Sequence, residues 1–587
     1  MPVSLTDLNI LTLDCQTSGA NPQKGHLLEI GWVKTRAAAS QNRQNAQPEA
    51  YLIKLPTGED IPRSVTRITG ISPADLAEAN SPQEIWQKLT DAAHRVAAAN
   101  RSSVCPAVIH FSRFEEPFLR DLHANSHPQS PFPFQFICTH EIAKRLFPGL
   151  PRRGLRAIAG YFGHSMSVFR RSADHAVATA FIWKNLVAVL KNNCRIITLA
   201  QLLEWLQSST PGKGSRRIYP MNSEVRQMLP EQPGIYRMLR ANGDLLYIGK
   251  AKSLKHRVNS YFRQTGSAGE HILEMLTQAY DLDFTLTGSA LEAAILENDQ
   301  IKHHSPPYNV ALRKQQRQLV FCSKDLKHHS TTTDDVHPIG PLPSGNLIDA
   351  MAAFAVLMDA GMGDRIHGFS DLAYRLLSSP EEYAPDADCL RQGVAMFHQR
   401  HRTILHSNST LRTLTQLGAR LWREHLELLE FAEAHAGELE QQDPRPVDAT
   451  EDHAWTPEDV ADTIQSVIRR AAHLIRRARW LCLLSQSSLA WESPHVDDHH
   501  KILIIFKDGA SVHRKKLKTQ ERLPLPPGYA TPFQKRRKSF DLRTYDRLRV
   551  VTTELRRLIS ENRRIELCLG PTTILGPKEL GKALRWV

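Results

Sequence analysis

Between residues 233 and 312, the chain carries a set of side chains whose types suit phosphodiester hydrolysis. That reaction needs an activated water, a cation at the developing charge on phosphorus, and stabilisation of the leaving oxygen. A free tyrosine is only about 0.1% ionised at pH 7, so a tyrosine base would need cations beside it. The candidate side chains are Tyr236, Tyr247, Lys250, Arg257, Tyr261, Glu297 and Asn309.

A predicted β-hairpin brings two of these tyrosines together. Strand-like runs at Gly234–Leu239 and Leu245–Gly249 are separated by the sequence Ala-Asn-Gly-Asp. Asn-Gly between two such runs is a strong hairpin signal, because both turn positions tolerate positive φ. The hairpin therefore places Tyr236 and Tyr247 on neighbouring strands.

Two predicted helices carry further candidates. The first extends from Ser253 to Arg263, and it places Arg257 and Tyr261 on one face because they are four residues apart. The second extends from about Ser289 to His304 and has an apolar side. Glu297 lies on this second helix, and it is the one carboxylate in the set.

Four phrases of this stretch resemble the GIY-YIG nuclease domain, close to that of the UvrC excision-repair nucleases and their stand-alone homologues of the Cho type. The phrases are Pro233-Gly234-Ile235-Tyr236, Leu246-Tyr247-Ile248-Gly249-Lys250, Leu296-Glu297-Asn298 and Pro307-Tyr308-Asn309-Val310. The resemblance implies a small α/β domain that cuts DNA. No position of the matched set is substituted.

The same resemblance implies a role for each candidate. Glu297 would be the ligand of a single Mg²⁺ or Mn²⁺, which keeps most of its waters. Tyr247 would be the general base, tuned by Lys250, and Arg257 would hold the scissile phosphate. Whether Tyr236 or Tyr247 takes the proton stays open from the sequence. The pocket would be completed by Tyr236, Tyr261 and Asn309.

The first 205 residues have the pattern of an α/β layer fold. Strand-like runs at Asn9–Asp14, Leu27–Val33 and Ala50–Leu55 precede helical patterns at Ser81–Ala99 and Glu115–Asn125. Several phrases resemble the DEDD-type 3′–5′ exonucleases, such as the proofreading subunit of the bacterial replicase, which implies an RNase H-like fold. These phrases are Leu13-Asp14-Cys15-Gln16-Thr17, Ile68-Thr69-Gly70-Ile71, His110-Phe111-Ser112-Arg113-Phe114-Glu115 and Ala173-Asp174-His175-Ala176.

That family holds two metal ions with four carboxylates and uses a histidine to deprotonate water. Asp14 and Asp174 match the pattern, and Glu115 stands where the family has an aspartate. We expect these three to be the metal ligands that remain. Gln16 replaces the second carboxylate, and Phe169 occupies the position of the histidine. We therefore predict a fold with impaired turnover. A replacement base, from a shifted loop, would be His164 or His175.

The remainder of the chain has a helical and basic pattern. Helices are predicted at about Leu347–Asp359, Cys389–Ser407, Thr413–His435 and from Thr456 to Leu484, followed by a hairpin at 501–517. Its Lys and Arg residues fit either a DNA-contacting surface or solvated helix faces, and the sequence leaves both open. We see no second nuclease site here and none of the cysteine cluster of full-length UvrC.

Composition limits the class of protein. The 587 residues carry 74 Lys and Arg against 61 Asp and Glu, a net charge of +13, which favours a polyanionic partner. Eight scattered cysteines without a C-x-x-C motif argue against zinc ribbons and disulfide frameworks, and they fit a reducing cytoplasm. No apolar run approaches the ~20 residues of a membrane span, so we expect a cytoplasmic protein without a membrane partner.

Together these patterns predict a multidomain α/β and α+β protein. The leading hypothesis is a metal-dependent endonuclease of nucleotide excision repair that cuts one strand, on the 3′ side of a lesion in double-stranded DNA. Its partners would be UvrA- and UvrB-type damage-recognition proteins. The alternatives are a 3′–5′ exonuclease and a non-catalytic nucleic-acid-binding scaffold. The predicted segments are an exonuclease-like domain at 1–205, a linker at 206–228, a GIY-YIG domain at 229–314, a linker at 315–346 and a helical, basic region at 347–587.

Overall fold

The structure is a computed structural model, and its described residues form two compact units. The first unit comprises residues 1–287 and 304–310, and the second comprises 288–303 and 311–587. The described residues are 3–38, 47–164, 170–208, 217–263, 269–309, 318–326, 328–359, 385–405, 411–434, 455–492, 500–530, 540–561, 563–585 and 587.

The first domain is built on a five-stranded mixed sheet. Its strands are β1 (Ile10–Thr17), β2 (Leu27–Thr35), β3 (Glu49–Leu52), β4 (Cys105–Ile109) and β5 (Phe134–Cys138). They lie in the order β3-β2-β1-β4-β5, with β1, β2 and β3 antiparallel and β4 and β5 parallel to β1. This arrangement confirms the predicted RNase H-like fold, although the third strand ends three residues earlier than expected.

Helices cover both faces of this sheet, which explains why β1 is buried on both sides. Trp86 and Leu89 contribute to the core on one face, and Ile182 and Trp183 contribute to the core on the other. The helices are α1 (Arg63–Thr69), α2 (Pro73–Ala77), α3 (Pro82–Ala99), α4 (Ser112–Ser126), α5 (Thr139–Leu146), α6 (Leu155–Tyr161), α7 (Ser172–Cys194) and α8 (Leu199–Gln207).

The central domain contains the predicted hairpin. Its three-stranded antiparallel sheet consists of β6 (Gly234–Leu239), β7 (Leu245–Ala251) and β8 (Asp281–Leu286). The order is β7-β6-β8, so β7 is an edge strand. The turn contains Gly243 at a φ of +86°, as the Asn-Gly signal predicts. The helices are α9 (Ser223–Gln227), α10 (Leu254–Tyr261) and α11 (Glu270–Gln278).

The helix that carries Glu297 is α12 (Ala290–His304), as the apolar periodicity predicts. Residues 288–303 group with the second unit. Leu291 and Ile295 belong to a core that also contains Trp480, and Arg547 pairs with Asp299 of α12 at 2.9 Å. The second unit therefore begins inside the segment that the sequence assigns to the GIY-YIG domain.

The expected linker at 315–346 contains a small sheet instead of an open connection. Its strands are β9 (Val320–Cys322), β10 (His329–Ser330) and β11 (Ile339–Leu342), in the order β10-β9-β11. Phe321, Cys322 and Leu342 are buried. The prediction rested on the polar and Pro/Gly-rich composition, and these short strands have too few apolar residues to show a period.

The C-terminal region is helical at its start, as predicted. The helices are α13 (Asn346–Asp359), α14 (Ala387–Arg400), α15 (Leu411–Ala434) and α16 (Pro457–Leu484). Thr456 and Asp459 form a capping box at the start of α16, which agrees with the predicted start of this helix at Thr456. Residues 406–407 and 435, at the ends of two predicted helices, lie outside the described residues.

The predicted hairpin is part of a larger antiparallel sheet that the sequence analysis missed. The strands are β12 (Ser487–Trp491), β13 (His500–Lys507), β14 (Ala510–Lys518), β15 (Ile565–Gly570) and β16 (Thr573–Leu575), in the order β14-β13-β12-β15-β16. The helices α17 (Leu542–Ser560) and α18 (Pro577–Arg585) complete the chain. Within the described residues, no helix combines the length and the apolar character that a membrane span requires.

Candidate functional site

The three predicted tyrosines form a cluster in the central domain. The ring centroids of Tyr236 and Tyr247 are 6.1 Å apart, and both rings lie within 6.4 Å of the ring of Tyr261. The hairpin register places Tyr236 opposite Gly249 and Tyr247 opposite Met238. The hairpin and α10 thus bring together side chains that are distant in sequence, as the patterns predict.

Arg257 lies beside this cluster, on the solvent-exposed face of α10. Its guanidinium donates a hydrogen bond of 3.2 Å to the hydroxyl of Tyr261 and lies 4.9 Å from the centre of that ring. The hydroxyls of Tyr261 and Tyr236 are in turn 2.9 Å apart. Since Arg257 is exposed, its remaining donors can reach a phosphate from solvent.

Burial distinguishes the two tyrosines that the sequence left as alternative bases. Tyr236 is fully buried, and burial raises its pKa well above the usual value, with further contributions from Tyr261 and Tyr247. Tyr236 therefore keeps its proton at neutral pH. Tyr247 is half-buried and is the tyrosine of this pair that solvent reaches.

Gly249 has a steric role that the sequence analysis did not assign. A Cβ atom at this position would lie 2.3 Å from the hydroxyl oxygen of Tyr236 and 2.8 Å from Cε1 of Tyr247. Both distances are shorter than a van der Waals contact. The two rings therefore approach the backbone of β7 so closely that only glycine fits between them. The signal was present as the glycine of the Tyr-Ile-Gly phrase.

Asn309 acts as a hydrogen-bonding partner for the open edge of β7. Its side-chain oxygen accepts from the N–H of Ile248 at 2.9 Å, and its side-chain nitrogen donates to the carbonyl of Ile248 at 2.8 Å. The N–H of Tyr308 donates to the carbonyl of Leu246 at 3.1 Å. The residues on either side of Tyr247 are thus held by the Tyr308-Asn309 pair. Lys250 lies further along the same strand.

Glu297 lies on α12 and is half-buried. It belongs to the second unit, whereas the tyrosine cluster belongs to the first. Within the described part of the chain, no group of three or more His, Cys, Asp or Glu side chains is arranged to hold a metal ion. The assignment of Glu297 as a single-carboxylate ligand does not require such a group, and it stays a prediction.

In the first domain, Asp14 is hydrogen-bonded by protein groups. The side-chain nitrogen of Gln16 donates to one carboxylate oxygen of Asp14 at 2.9 Å, and Nδ1 of His175 lies 3.2 Å from the other. His175 thus reaches Asp14 from the first turn of α7 without a shifted loop. Since an amide brings no negative charge, this arrangement does not fit the four-carboxylate, two-metal centre of the family.

The other predicted ligands of this domain have different surroundings. Glu115 is buried, and burial, together with the charge of Asp14, raises its pKa well above the usual value. Its Oε2 has no hydrogen-bond partner in the described structure. Asp174 is half-buried in the first turn of α7. The three-carboxylate metal assignment stays a prediction.

The remaining residues that bear on a base in this domain are His164 and Phe169. The ring of His164 stacks on Phe181, with a centroid distance of 4.6 Å. Burial lowers the pKa of His164, so the ring is neutral and packed at neutral pH. Phe169, at the position of the family's histidine, lies outside the described residues.

Comparison with protein families identifies both domains. Residues 232–310 match the family model described as the UvrC-like GIY-YIG domain, and residues 11–167 match the one described as an exonuclease. The chain therefore joins an exonuclease domain to a UvrC-like GIY-YIG domain. Both resemblances seen in the sequence are confirmed, and the matched segments contain the predicted site residues except Asp174 and the alternative base His175.

Individual relatives match the chain over different lengths. The UvrABC system protein C of Psychrobacter sp. (strain PRwf-1) is 49% identical over 98 residues, which is 16% of this chain and 16% of that protein. A putative bifunctional exonuclease/endonuclease protein of Mycobacterium tuberculosis is 27% identical over 316 residues, which is 52% of this chain and 45% of that protein. The chain thus spans less than half of either relative.

Among solved structures, the GIY-YIG N-terminal endonuclease domain of UvrC from Thermotoga maritima, bound to magnesium, is similar to the central domain. It is 33% identical and is covered completely, over 15% of this chain, with a TM-score of 0.14.

Proposed function

We propose that the protein is a divalent-metal-dependent DNA endonuclease of nucleotide excision repair, which cuts one strand through its GIY-YIG domain. The observation that carries the proposal is the tyrosine cluster with its arginine. It places an exposed guanidinium and a solvent-reached tyrosine beside a buried, protonated one. These are the parts that a hydrolysis of phosphodiester bonds needs from the protein.

In this proposal, Tyr247 is the general base. Tyr236 is excluded from that role because burial raises its pKa and its hydroxyl is engaged by Tyr261. Tyr236 instead fixes the position of Tyr261 and, through it, of Arg257. Arg257 holds the scissile phosphate, and Lys250, on the same strand as Tyr247, favours the ionised form of the base.

Glu297 is the proposed ligand of the metal ion. One half-buried carboxylate suits Mg²⁺ or Mn²⁺, since these ions bind oxygen and retain several waters when held by few protein groups. When bound, such an ion stabilises the negative charge that develops on the phosphate and on the leaving oxygen. Removal of divalent ions with a chelator should therefore abolish cleavage and leave the fold intact.

We further propose that the exonuclease domain has lost most of its turnover. The contact of Gln16 with Asp14 supports this, because a donor amide takes the place of a metal-binding carboxylate. The result expected is that Asp14→Ala leaves nicking by the GIY-YIG domain unchanged. If Asp14→Ala abolished a 3′–5′ exonuclease activity of the purified protein, the domain would be a working exonuclease.

The proposed substrate is double-stranded DNA with a lesion, cut on the 3′ side. The proposed partners are damage-recognition proteins of the UvrA and UvrB type. Support comes from the relatives named UvrABC system protein C and from the match of residues 232–310 to the UvrC-like GIY-YIG model. The net charge of +13 agrees with a polyanionic substrate. A cytoplasmic location, inferred from the scattered cysteines, agrees with this role.

The proposal is tested by comparing Tyr247→Phe with Tyr236→Phe in nicking of an end-labelled duplex with Mg²⁺. We expect Tyr247→Phe to abolish nicking, because phenylalanine cannot accept a proton. Tyr236→Phe should keep measurable activity and the same dependence on pH, because it removes a hydrogen bond only. The opposite pattern, with activity lost in Tyr236→Phe and kept in Tyr247→Phe, would reverse the assignment of the base.

A further inference from the structure

The exonuclease domain contacts the GIY-YIG domain through α6, the residues just before α6, and α11, all in the first unit. The guanidinium of Arg152 pairs with Glu270 at 2.6 Å, and its backbone N–H donates to the hydroxyl of Thr277 at 3.1 Å. Arg156 lies 3.9 Å from Glu274. Two arginines of the first domain thus face two glutamates on one side of α11.

The contact also includes groups that are fully packed. A Cβ atom at Gly160 of α6 would lie 1.8 Å from the side-chain oxygen of Gln278, so the backbone of α6 passes directly over that side chain. Gln278 is buried, and its oxygen accepts two hydrogen bonds from Arg240, at 3.1 and 3.0 Å. The two domains therefore meet in a close-packed and hydrogen-bonded contact.

Tyr308 connects this contact between the domains to β7, the strand that carries Tyr247. Its ring is buried, and its hydroxyl donates to Glu274 at 2.6 Å and accepts from Gln278. The charge of Arg156 lies 5.8 Å from the centre of the same ring. The side chain of Tyr308 thus contacts α11, which packs against the first domain. It also lies close to Arg156 of the first domain itself.

The backbone of Tyr308 and the side chain of Asn309 then hold β7 on both sides of Tyr247. The N–H of Tyr308 bonds to Leu246, and the amide of Asn309 bonds twice to Ile248. Because β7 is an edge strand, these are the bonds that a further strand would otherwise supply. We call the pair Tyr308 and Asn309 the clip.

We propose that the exonuclease domain works as a positioning element for the GIY-YIG domain, acting through α11 and the clip on the strand that carries Tyr247. Arg156, Glu274 and Tyr308 are then positioning residues, which touch no reacting atom. This inference rests on the proposed function, because positioning of Tyr247 affects catalysis only if Tyr247 is the base. The link itself, which is the series of contacts from α6 through α11 and the clip to β7, can be tested without any activity.

Two perturbations test the link at different points. The double variant Arg152→Glu and Arg156→Glu places acids opposite Glu270 and Glu274, and like charges at these distances repel. Its control is Arg120→Glu, since Arg120 pairs with Glu116 on an exposed face of α4 in the same domain. Tyr308→Phe removes the hydroxyl between Glu274 and Gln278. Its control is Tyr219→Phe, because the hydroxyl of Tyr219 has no hydrogen-bond partner in the described structure.

The first measurement is amide hydrogen exchange in the peptide that covers β7, with the peptide of β1 as the internal reference. We expect both test variants to increase exchange in β7 and to leave exchange in β1 unchanged. Both controls should match the parent protein. If exchange in β7 were the same in the test variants and in the parent, the link would be refuted whether or not the protein cuts DNA.

The second measurement is single-turnover nicking at saturating DNA. A misplaced base lowers the rate of the chemical step and leaves substrate affinity intact, so we expect a loss of about tenfold in rate with an unchanged Kd. Adding Glu270→Arg to the double variant should restore part of the rate, because it re-forms one ion pair with reversed charges. A loss confined to Kd would refute positioning and indicate a DNA-binding role. A parent protein that does not nick would refute the proposed function, while exchange still tests the link.

Discussion

Gly249→Ala gives a sharp test of the tyrosine cluster. The added methyl group would have to share space with the hydroxyl oxygen of Tyr236, at 2.3 Å, with its Cζ, at 2.4 Å, and with Cε1 of Tyr247, at 2.8 Å. Non-bonded carbons approach each other to about 3.5 Å at best. One or both rings must therefore move by about 1 Å.

This displacement of the rings should lower the rate of catalysis. A shift of about 1 Å in a reacting group costs on the order of 10²-fold in rate, which corresponds to about 2.7 kcal/mol. The rings are packed between β6, β7 and α10, so the shift also disturbs the hydrogen bond between Tyr236 and Tyr261. We therefore expect Gly249→Ala to reduce the nicking rate about a hundredfold.

The assay is single-turnover nicking of an end-labelled duplex with Mg²⁺, with thermal unfolding as a check on folding. Gly269→Ala is the matched control, since Gly269 lies in the same domain and a Cβ there meets nothing within 4 Å. The control should nick at the parent rate. If Gly249→Ala also nicked at the parent rate, the tyrosines would not act in the arrangement that the structure describes.

Two further predictions concern stability and DNA binding. Burial lowers the pKa of His110 to about 3, below its ordinary value of about 6.5. Its contribution to stability is therefore present above pH 6.5 and is lost as the pH falls from 6.5 towards 3, by at most about 5 kcal/mol. The protection of the β4 amides, taken relative to their intrinsic exchange rate at each pH, should fall over this range, and His110→Gln should flatten the fall. An equal fall in His110→Gln would contradict the reasoning. On α16, Arg476 and Arg479 are exposed, and Arg423 lies near Arg476. If this surface binds phosphates, replacing Arg476 and Arg479 with Gln should reduce the steepness of log K against log salt by about 2. Each lost phosphate contact accounts for ~0.9 of that slope. The control is Arg400→Gln, because the carboxylates of Glu458 and Asp462 already balance the charge of Arg400, so its loss should leave the slope unchanged. An unchanged slope in the double variant would indicate solvated helix faces.

Local patterns were enough to predict the elements of the central site. The Asn-Gly turn fixed the hairpin, and the spacing of Arg257 and Tyr261 fixed their common face on α10. The role of Gly249 was not predictable in this way. It depends on the register that places Gly249 opposite Tyr236, and on the direction of two aromatic rings, neither of which a local pattern specifies.

Contacts between distant segments account for what the sequence analysis missed. His175 reaches Asp14 because α7 packs on β1, although 161 residues separate them. In the C-terminal region, β12 is buried throughout its five residues, Ser487–Trp491. A strand buried on both faces lacks the alternation of apolar and polar residues that marks a half-exposed strand. The sheet around it was therefore not recognisable, whereas the Asp-Gly turn between β13 and β14 marked the hairpin.

The central claim is that the GIY-YIG domain, and not the exonuclease domain, cuts the DNA. The most direct test is cleavage of an end-labelled duplex that carries one bulky adduct, with Mg²⁺ or Mn²⁺, and with damage-recognition partners present or absent. We predict a discrete nick that is lost in Tyr247→Phe and Glu297→Ala and kept in Asp14→Ala. A ladder that shortens from the 3′ end and is lost only in Asp14→Ala would contradict the claim.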